Sequence, residues 1–274
     1  MGEAKQKKTG RKAAKKKQRR QSATVILGLM TAVVVLGVVI WIAVYHFSFG
    51  VKEHSNYSVG LNDDGTIIGF DREEVTLCNY SEIPVKEEDL TLSDKDVDEY
   101  IKSLMETQGL TAGDFTDAFV LAYLPDMGSS VEEFRETYKK QKYEDNLEKY
   151  LLTYLNEHCE VKSYPDGYLK GLMGLIKSIE PNNGFSRKEY YALLQVKAER
   201  NARQSSILLA IFEDEGLSLS EENKDRVLRA YGVDKKYYST LVEKYGDGFL
   251  NQAAIEFAVL DFLKEKVVVK ENEQ

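Results

Sequence analysis

The stretch that decides the fold is "EIPVKEEDLTLSDKDVDEYIKSLMETQGL", residues 82–110. Pro84 confines its beginning to an extended or edge segment, because proline cannot donate a ladder hydrogen bond. A run of acids follows, and Ser93 then stands three residues before Asp96. This spacing predicts a capping box, in which the serine and the acid satisfy each other's backbone amides where a helix begins. The stretch therefore predicts an extended leader that opens a helical region.

Helix signals continue from there almost to residue 274. Ser130 precedes Glu133 and Ser186 precedes Glu189 by the same capping interval. With apolar periodicity, these signals predict helices from Ser93 and over 130–158, 165–179, 186–216, 220–230, 234–245 and 249–266. Short β or extended pieces are predicted at 66–70, 74–80, 83–85 and 267–270. The fold class is therefore mainly α, and two helices far above the average of about 11–12 residues predict an elongated body with long arm helices.

An uncharged apolar run, "ATVILGLMTAVVVLGVVIWIAVY", occupies residues 23–45. As a helix it would span roughly 34 Å, which is enough for a hydrocarbon core of about 30 Å. The run is longer than the apolar region of a cleaved signal peptide. It ends among Trp41, Tyr45 and Phe47, which are typical of a membrane interface. The sequence predicts a single transmembrane helix at 23–45 that is kept as a signal anchor.

Charge is distributed very unevenly on the two sides of that run. Residues 1–22 contain ten Lys and Arg against Glu3 alone, a net +9, and the rest of the chain carries −17. The basic end is expected to stay in the cytoplasm and to contact anionic lipid. The remainder is then expected outside the cytoplasm, as a stalk with short strands at 46–92 and a helical domain at 93–274. An acidic body of this kind excludes nucleic acid as its partner.

The sequence contains no recognisable catalytic, cofactor or metal motif. Its three histidines, His46, His54 and His158, are too scattered to predict a zinc site. Adjacent carboxylates are common, but 45 acids in one chain indicate a solvated acidic surface. Cys78 and Cys159 leave two alternatives open, and two separate thiols packed as small hydrophobes are favoured over a disulfide. An enzyme is therefore the least expected class.

Several motifs, in collinear order, resemble one known family. The leader and first helix, "VTLCNYSEIPVKEEDLTLSDKDVDEYIKSLM" (75–105), resemble the segment of trigger factor that precedes its prolyl isomerase domain. Four further segments resemble the helical body of that family: "FTDAFVLAYLPDMGSSVEEFRETYKKQ" (115–141), "EVKSYPDGYL" (160–169), "KAERNARQSSILLAIFEDEGLSLSE" (197–221) and "FLNQAAIEFAVLDFLKEKVVVKE" (249–271). Helical export chaperones of the SurA and PrsA type are a more distant resemblance.

The chain also departs from that family in two places. Only "ETQGLTAGDFT" (106–116) stands where trigger factor has its isomerase domain, and the ribosome-docking domain is replaced by the predicted anchor. The resemblance therefore implies a membrane-anchored holdase for unfolded or newly exported polypeptides, without ATP, cofactor or prolyl isomerase activity. The alternative is a non-enzymatic scaffold or adaptor subunit of an export or envelope complex.

Seven apolar side chains are the candidates for client contact in such a holdase, because Met and aromatic residues suit loose, adaptable binding. Helix-to-helix packing is the alternative explanation for the same stripe. The candidates are Leu124, Met127, Phe134, Leu172, Met173, Leu175 and Ile176.

Overall fold

The computed structural model describes residues 57–270, and this part of the chain is mainly helical. The α-helices are α1 (Glu87–Leu90), α2 (Asp94–Thr107), α3 (Asp117–Tyr123), α4 (Val131–His158), α5 (Asp166–Ile179), α6 (Arg187–Asp214), α7 (Glu221–Ala230), α8 (Tyr238–Tyr245) and α9 (Asp247–Lys264). The strands are β1 (Val75–Thr76), β2 (Ile83–Lys86), β3 (Glu160–Val161) and β4 (Val267–Lys270). They form two small sheets, β1 with β3 and β2 with β4. The predicted mainly α class is confirmed.

The helix starts follow the predicted caps. Ser93 and Ser186 each form a complete capping box, with Asp96 and Glu189 respectively. At α4 the box is divided, because the Ser130 hydroxyl accepts from the Glu133 amide while the Glu133 carboxylate accepts from the amide of Ser129. Local side-chain chemistry therefore sets these three helix starts, as the sequence predicts.

The predicted β segments agree with the structure less closely than the predicted helices do. The extended piece at 267–270 is confirmed as β4, and 83–85 lies within β2. The predicted strand at 74–80 is reduced to the two residues of β1, and 66–70 contributes only one isolated bridge, between Leu61 and Ile67. Gly65 just before this segment and Gly69 within it, both at positive φ, leave too few consecutive extended residues for a ladder.

The described residues form two compact units. Unit 1 contains Lys86–Leu147, and unit 2 contains 57–85 together with Glu148–Lys270. Unit 1 is thus inserted into the sequence of unit 2, and helix α4 runs through the second junction. The predicted boundary at residue 92 falls within unit 1, and residues 57–85 pack with the C-terminal helices of unit 2.

Unit 1 is built around an aromatic and aliphatic core supplied by α2, α3 and the start of α4. Val97, Met105 and Val120 are fully buried at its centre. The rings of Phe115 and Phe134 meet edge to face with centroids 4.9 Å apart, an arrangement that adds to simple area burial. Unit 1 is therefore a closed hydrophobic core of ordinary type.

Residues 57–85, which fall within the predicted stalk with short strands at 46–92, contribute to the core of unit 2. The ring of Tyr57 packs edge to face on Tyr245 at 4.9 Å, and Ile83 is completely buried. Gly246, at φ +83°, separates α8 from α9, and an added Cβ there would lie 2.2 Å from the hydroxyl of Ser58. Apolar residues spaced singly among polar ones hide this burial from a periodicity search.

No helix within residues 57–270 combines the length and the apolarity that a bilayer crossing requires. The predicted basic tail at 1–22 and the predicted span at 23–45 lie outside the described residues, as does the beginning of the predicted stalk.

Candidate functional site

Three of the seven candidate side chains belong to the unit 1 core. Leu124, Met127 and Phe134 are 2%, 5% and 1% exposed. They pack with Phe115 and with α2 in one continuous cluster. Helix packing accounts for their position in the described conformation, and client contact through them stays a prediction that requires this core to open.

The other four candidates lie on α5 in unit 2, where α5 and α6 form a helical hairpin. Leu175 and Ile176 are buried, whereas Leu172 and Met173 are only half-buried. One buried cluster of the hairpin contains Ile176, Leu194 and Ala198, and Leu175 and Ile179 are also buried. Side chains that are partly buried cover this cluster, so Leu172 and Met173 keep accessible apolar surface.

The same hairpin exposes apolar side chains that the sequence search missed. Nine large apolar residues are exposed among the described residues, and three of them fall within the short stretch 185–196. They are Phe185, Tyr191 and Val196, with 52%, 59% and 64% of their surface exposed. We call these three residues the hairpin apolar set. Phe185 precedes α6, Tyr191 lies at the spacing of its buried residues, and Val196 lies off that stripe. Periodicity alone therefore does not reveal that all three are exposed.

Local hydrogen bonds hold the tip of the hairpin in a defined conformation. The Asn182 side chain accepts from the amide of Phe185 at 2.9 Å and donates to its carbonyl oxygen at 2.8 Å. The capping box of Ser186 then begins α6 immediately after this turn. The exposure of the Phe185 ring therefore follows from an ordered turn.

Polar contacts join the two helices of the hairpin near its tip. The Tyr190 hydroxyl donates to the carbonyl oxygen of Glu180, and the Lys197 ammonium pairs with the carboxylate of Glu180. Further down, Tyr168 is buried and its hydroxyl donates to the Gln252 side chain of α9 at 3.1 Å. The base of the hairpin is thus anchored in the unit 2 core, while its outer part carries the hairpin apolar set.

Charge distinguishes the hairpin from the rest of the acidic body. Residues 166–200 contain six basic and four acidic residues, a net +2, whereas unit 1 contains seven basic and sixteen acidic residues, a net −9. Apolar groups beside mild positive charge suit an extended polypeptide, whose carbonyl groups and acidic side chains accept from Lys and Arg.

A buried ion network holds α4, α7 and α9 together within unit 2. One carboxylate oxygen of Glu148 accepts from Arg226 at 2.7 Å and from Lys264 at 2.6 Å. Arg226 also pairs with Asp261, and its guanidinium lies 4.2 Å from the centre of the Phe257 ring. Every charge in the network faces an opposite charge, which indicates a structural role.

Glu256 is the remaining buried acid, and it borders a cavity of about 40 Å³ with Ser205, Gln252 and Phe249. Burial, and to a smaller extent the charge of Glu148, raises its pKa to about 8. The cavity is close to the size of one water molecule, and no cluster of metal-binding side chains occurs within the described part of the chain. It does not offer the space that a substrate pocket needs.

The two cysteines lie together, in contrast to the favoured expectation of two separate thiols. The Sγ atoms of Cys78 and Cys159 are 3.0 Å apart, and both residues are in the reduced form. The sequence gives no signal for this proximity, because it depends on the pairing of β1 with β3.

The chain was also compared with known proteins. No protein-family model, curated protein or solved structure matches it. The resemblance to trigger factor therefore depends on the sequence motifs alone.

Proposed function

We propose that this protein is a membrane-anchored, extracytoplasmic holdase that binds unfolded or newly exported polypeptides without ATP. It is proposed to be a single-pass protein of the cell membrane, with residues 1–22 in the cytoplasm against anionic lipid. The collinear trigger-factor-like motifs and the predicted anchor motivate this assignment. A trigger-factor-like or SurA-like helical body, with α5 and α6 as an arm, belongs to the same proposal.

The observation that carries the proposal is the hairpin apolar set. Phe185, Tyr191 and Val196 stand exposed on the α5–α6 hairpin. Contiguous exposed apolar patches mark interaction surfaces, and three exposed apolar side chains within 185–196 motivate the assignment of such a surface to the hairpin. Half-buried Leu172 and Met173 extend the accessible surface on the neighbouring helix. Together they offer adaptable contacts for apolar segments of different sequence.

A light-scattering experiment tests the proposal. Full-length protein in mild detergent is mixed with a chemically denatured enzyme, which is then diluted so that it aggregates. We expect near-stoichiometric suppression of aggregation without ATP, and detergent alone serves as the blank. The triple variant F185S/Y191S/V196S should lose at least half of the suppression, because each change removes an apolar contact.

A matched control removes three apolar side chains of similar exposure elsewhere. The variant I68S/L121S/Y237S changes residues that are 52%, 61% and 53% exposed and should suppress aggregation like the unchanged protein. Equal loss in both triple variants would contradict the assignment to the hairpin. Absence of suppression with several clients would contradict the holdase itself.

The second candidate is an adaptor that docks one folded partner, and the closed core of unit 1 favours it. Leu124, Met127 and Phe134 are already occupied by packing, so unit 1 offers no apolar hollow there. Crosslinking in cells distinguishes the two functions. Many unrelated polypeptides captured by the hairpin support a holdase, and one stoichiometric partner supports an adaptor.

Turnover of a proline peptide would contradict the proposed lack of isomerase activity.

A further inference from the structure

The two cysteines meet where two distant parts of the unit 2 sequence pair. Strand β1 runs antiparallel to β3, with Val75 opposite Val161 and Thr76 opposite Glu160. Continuing this register places Cys159 opposite Leu77, next to Cys78. The amide of Cys78 donates to the Cys159 sulfur at 3.2 Å, and the two Sγ atoms are 3.0 Å apart. A disulfide requires about 2.05 Å, so a sulfur movement of about 1 Å completes the bond.

The Cys159 side of the pair is fixed by the end of α4. Arg203 of α6 donates to the carbonyl oxygens of Asn156 and Cys159, which satisfies two orphan acceptors at the helix terminus. Cys159 itself is only 3% exposed. Its sulfur therefore has little freedom to move away from its neighbour.

The Cys78 side is fixed on both flanks. Before it, Arg72 forms a bidentate pair with Asp214, with nitrogen–oxygen distances of 2.8 and 2.6 Å. After it, the Tyr80 hydroxyl donates to Glu215 at 2.7 Å. Both anchors lie at the end of α6, the helix that also supplies Arg203. The backbone thus holds the two thiols together independently of any covalent bond.

The surroundings of the sulfur atoms favour an inert bond over a redox centre. Burial, and then the hydrogen bond with Cys159, raises the pKa of the Cys78 thiol to about 12. Catalytic and redox-sensing cysteines have a lowered pKa and a nearby cation. A raised thiol pKa keeps the reduced pair protonated near neutral pH, which slows its exchange with external disulfides.

We infer that Cys78 and Cys159 are a disulfide-forming pair that would link the segment just after β1 to the residue before β3 within unit 2. The more exposed Cys78 thiolate attacks an external disulfide, forms a mixed disulfide and releases one thiol. The Cys159 thiolate then attacks the Cys78 sulfur and releases the second thiol. Two protons leave the cysteines, and the external disulfide gains two electrons. Oxidised glutathione serves in the test, and the compartment proposed above would supply a disulfide oxidant in the cell.

The bond would have a topological consequence for the chain. The sequence between Cys78 and Cys159 includes all of Lys86–Leu147, which is unit 1. With the disulfide formed, β1 and β3 stay covalently linked when unit 1 unfolds or is cut. In the reduced form, the same strand pair depends on hydrogen bonds and packing alone.

The test equilibrates the full-length protein, in mild detergent, with excess oxidised glutathione at pH 8.5. We expect a mass loss of about 2 Da per chain, two hydrogens, and no thiol that reacts with maleimide after denaturation. The thermal midpoint of unit 2 should rise by about 5–10 °C relative to the reduced protein. After limited proteolysis within unit 1, the two fragments should migrate together until reductant is added.

The variant C78A/C159A is the control, and its midpoint should not respond to glutathione. Because the main comparison uses the unchanged protein in two redox states, a poorly folded variant leaves the test intact. Three results would each overturn the inference: two alkylatable thiols after full oxidation, glutathione adducts on both cysteines, or disulfides only between chains. None of these outcomes depends on whether the protein is a holdase, so this inference and the proposed function fail separately.

Discussion

Unit 1 and the α5–α6 hairpin use similar apolar residues in opposite ways. In unit 1, Phe115 and Phe134 meet inside a closed core on an acidic scaffold. In the hairpin, Phe185 and Tyr191 stand in solvent beside a buried cluster of three residues. A ring inside a core contributes to folding, whereas a ring held in water by an ordered turn is available for another chain. The proposed client contacts of the hairpin therefore lie in unit 2.

The largest expected effect comes from truncating one phenylalanine in each region. F134A should lower the free energy of unfolding of unit 1 by about 3–5 kcal/mol, because it leaves a cavity in a packed core. F185A should change stability by no more than about 0.5 kcal/mol, since its ring is exposed. Urea unfolding of both variants measures the contrast. A costly F185A would show that the hairpin tip is part of a core, which would break the comparison.

The next effect concerns Glu256, which lies at the base of the hairpin. The pKa of Glu256 is about 8 in the folded protein, against 4.5 for an ordinary Glu side chain. Between these pH values the folded protein keeps a proton that the unfolded chain has released. The folded state therefore binds more protons between these values, and stability falls as pH rises through that window. E256Q removes this loss, so its advantage over the unchanged protein should grow from pH 5 to about 2–4 kcal/mol at pH 8.

Unfolding of E256Q in urea at pH 5, 6, 7 and 8 checks this dependence. Besides burial, the charge of Glu148 raises the pKa of Glu256, and a hydrogen bond with the Gln204 side chain lowers it. E222Q removes the same charge from an exposed position on α7 and should show no comparable trend. A pH-independent difference between E256Q and the unchanged protein would show that Glu256 is already ionised in the fold.

A smaller effect is expected inside the hairpin. L194A should cost about 2–3 kcal/mol, at the low end for a buried leucine, because the partly buried Leu172 and Met173 that pack against it can move into the gap. Hydrogen exchange should accelerate over 187–200 and stay unchanged over 94–107, since the hairpin core is separate from that of unit 1. Acceleration in both regions would mean that the two cores unfold as one, and the contrast between them would be lost.

The smallest effect belongs to the polar link near the hairpin tip. K197M breaks the half-exposed pair with Glu180 and should cost about 0.2–1 kcal/mol. Amide exchange at 180–187 should be modestly faster in the variant than in the unchanged protein. Added salt should make this difference smaller, because it screens the ion pair of the unchanged protein. K188M removes the same charge from the same helix and is the control. An equal response to both variants would assign the effect to net charge.

The sequence predicts what local chemistry determines. Ser93 and Ser186 begin helices because each carries its own capping partner three residues on, and 267–270 reads as a strand from its three consecutive valines. The packing of Tyr57 and Ile83 could not be found in this way, because their partners lie nearly two hundred residues away. The contact between Cys78 and Cys159 depends on the same kind of distant pairing. The hairpin apolar set was missed because apolar periodicity reports burial and not exposure.

The insertion of unit 1 sets an order for folding during synthesis. Residues 86–147 are contiguous, so their core can form as soon as they emerge. Residues 57–85 must wait much longer, because the amide of Ile83 bonds to the carbonyl oxygen of Lys266 and β2 pairs with β4. Until that last strand has been made, the earliest part of unit 2 exposes unsatisfied backbone and apolar side chains. The nascent chain thus passes through the same vulnerable state as the polypeptides it is proposed to protect.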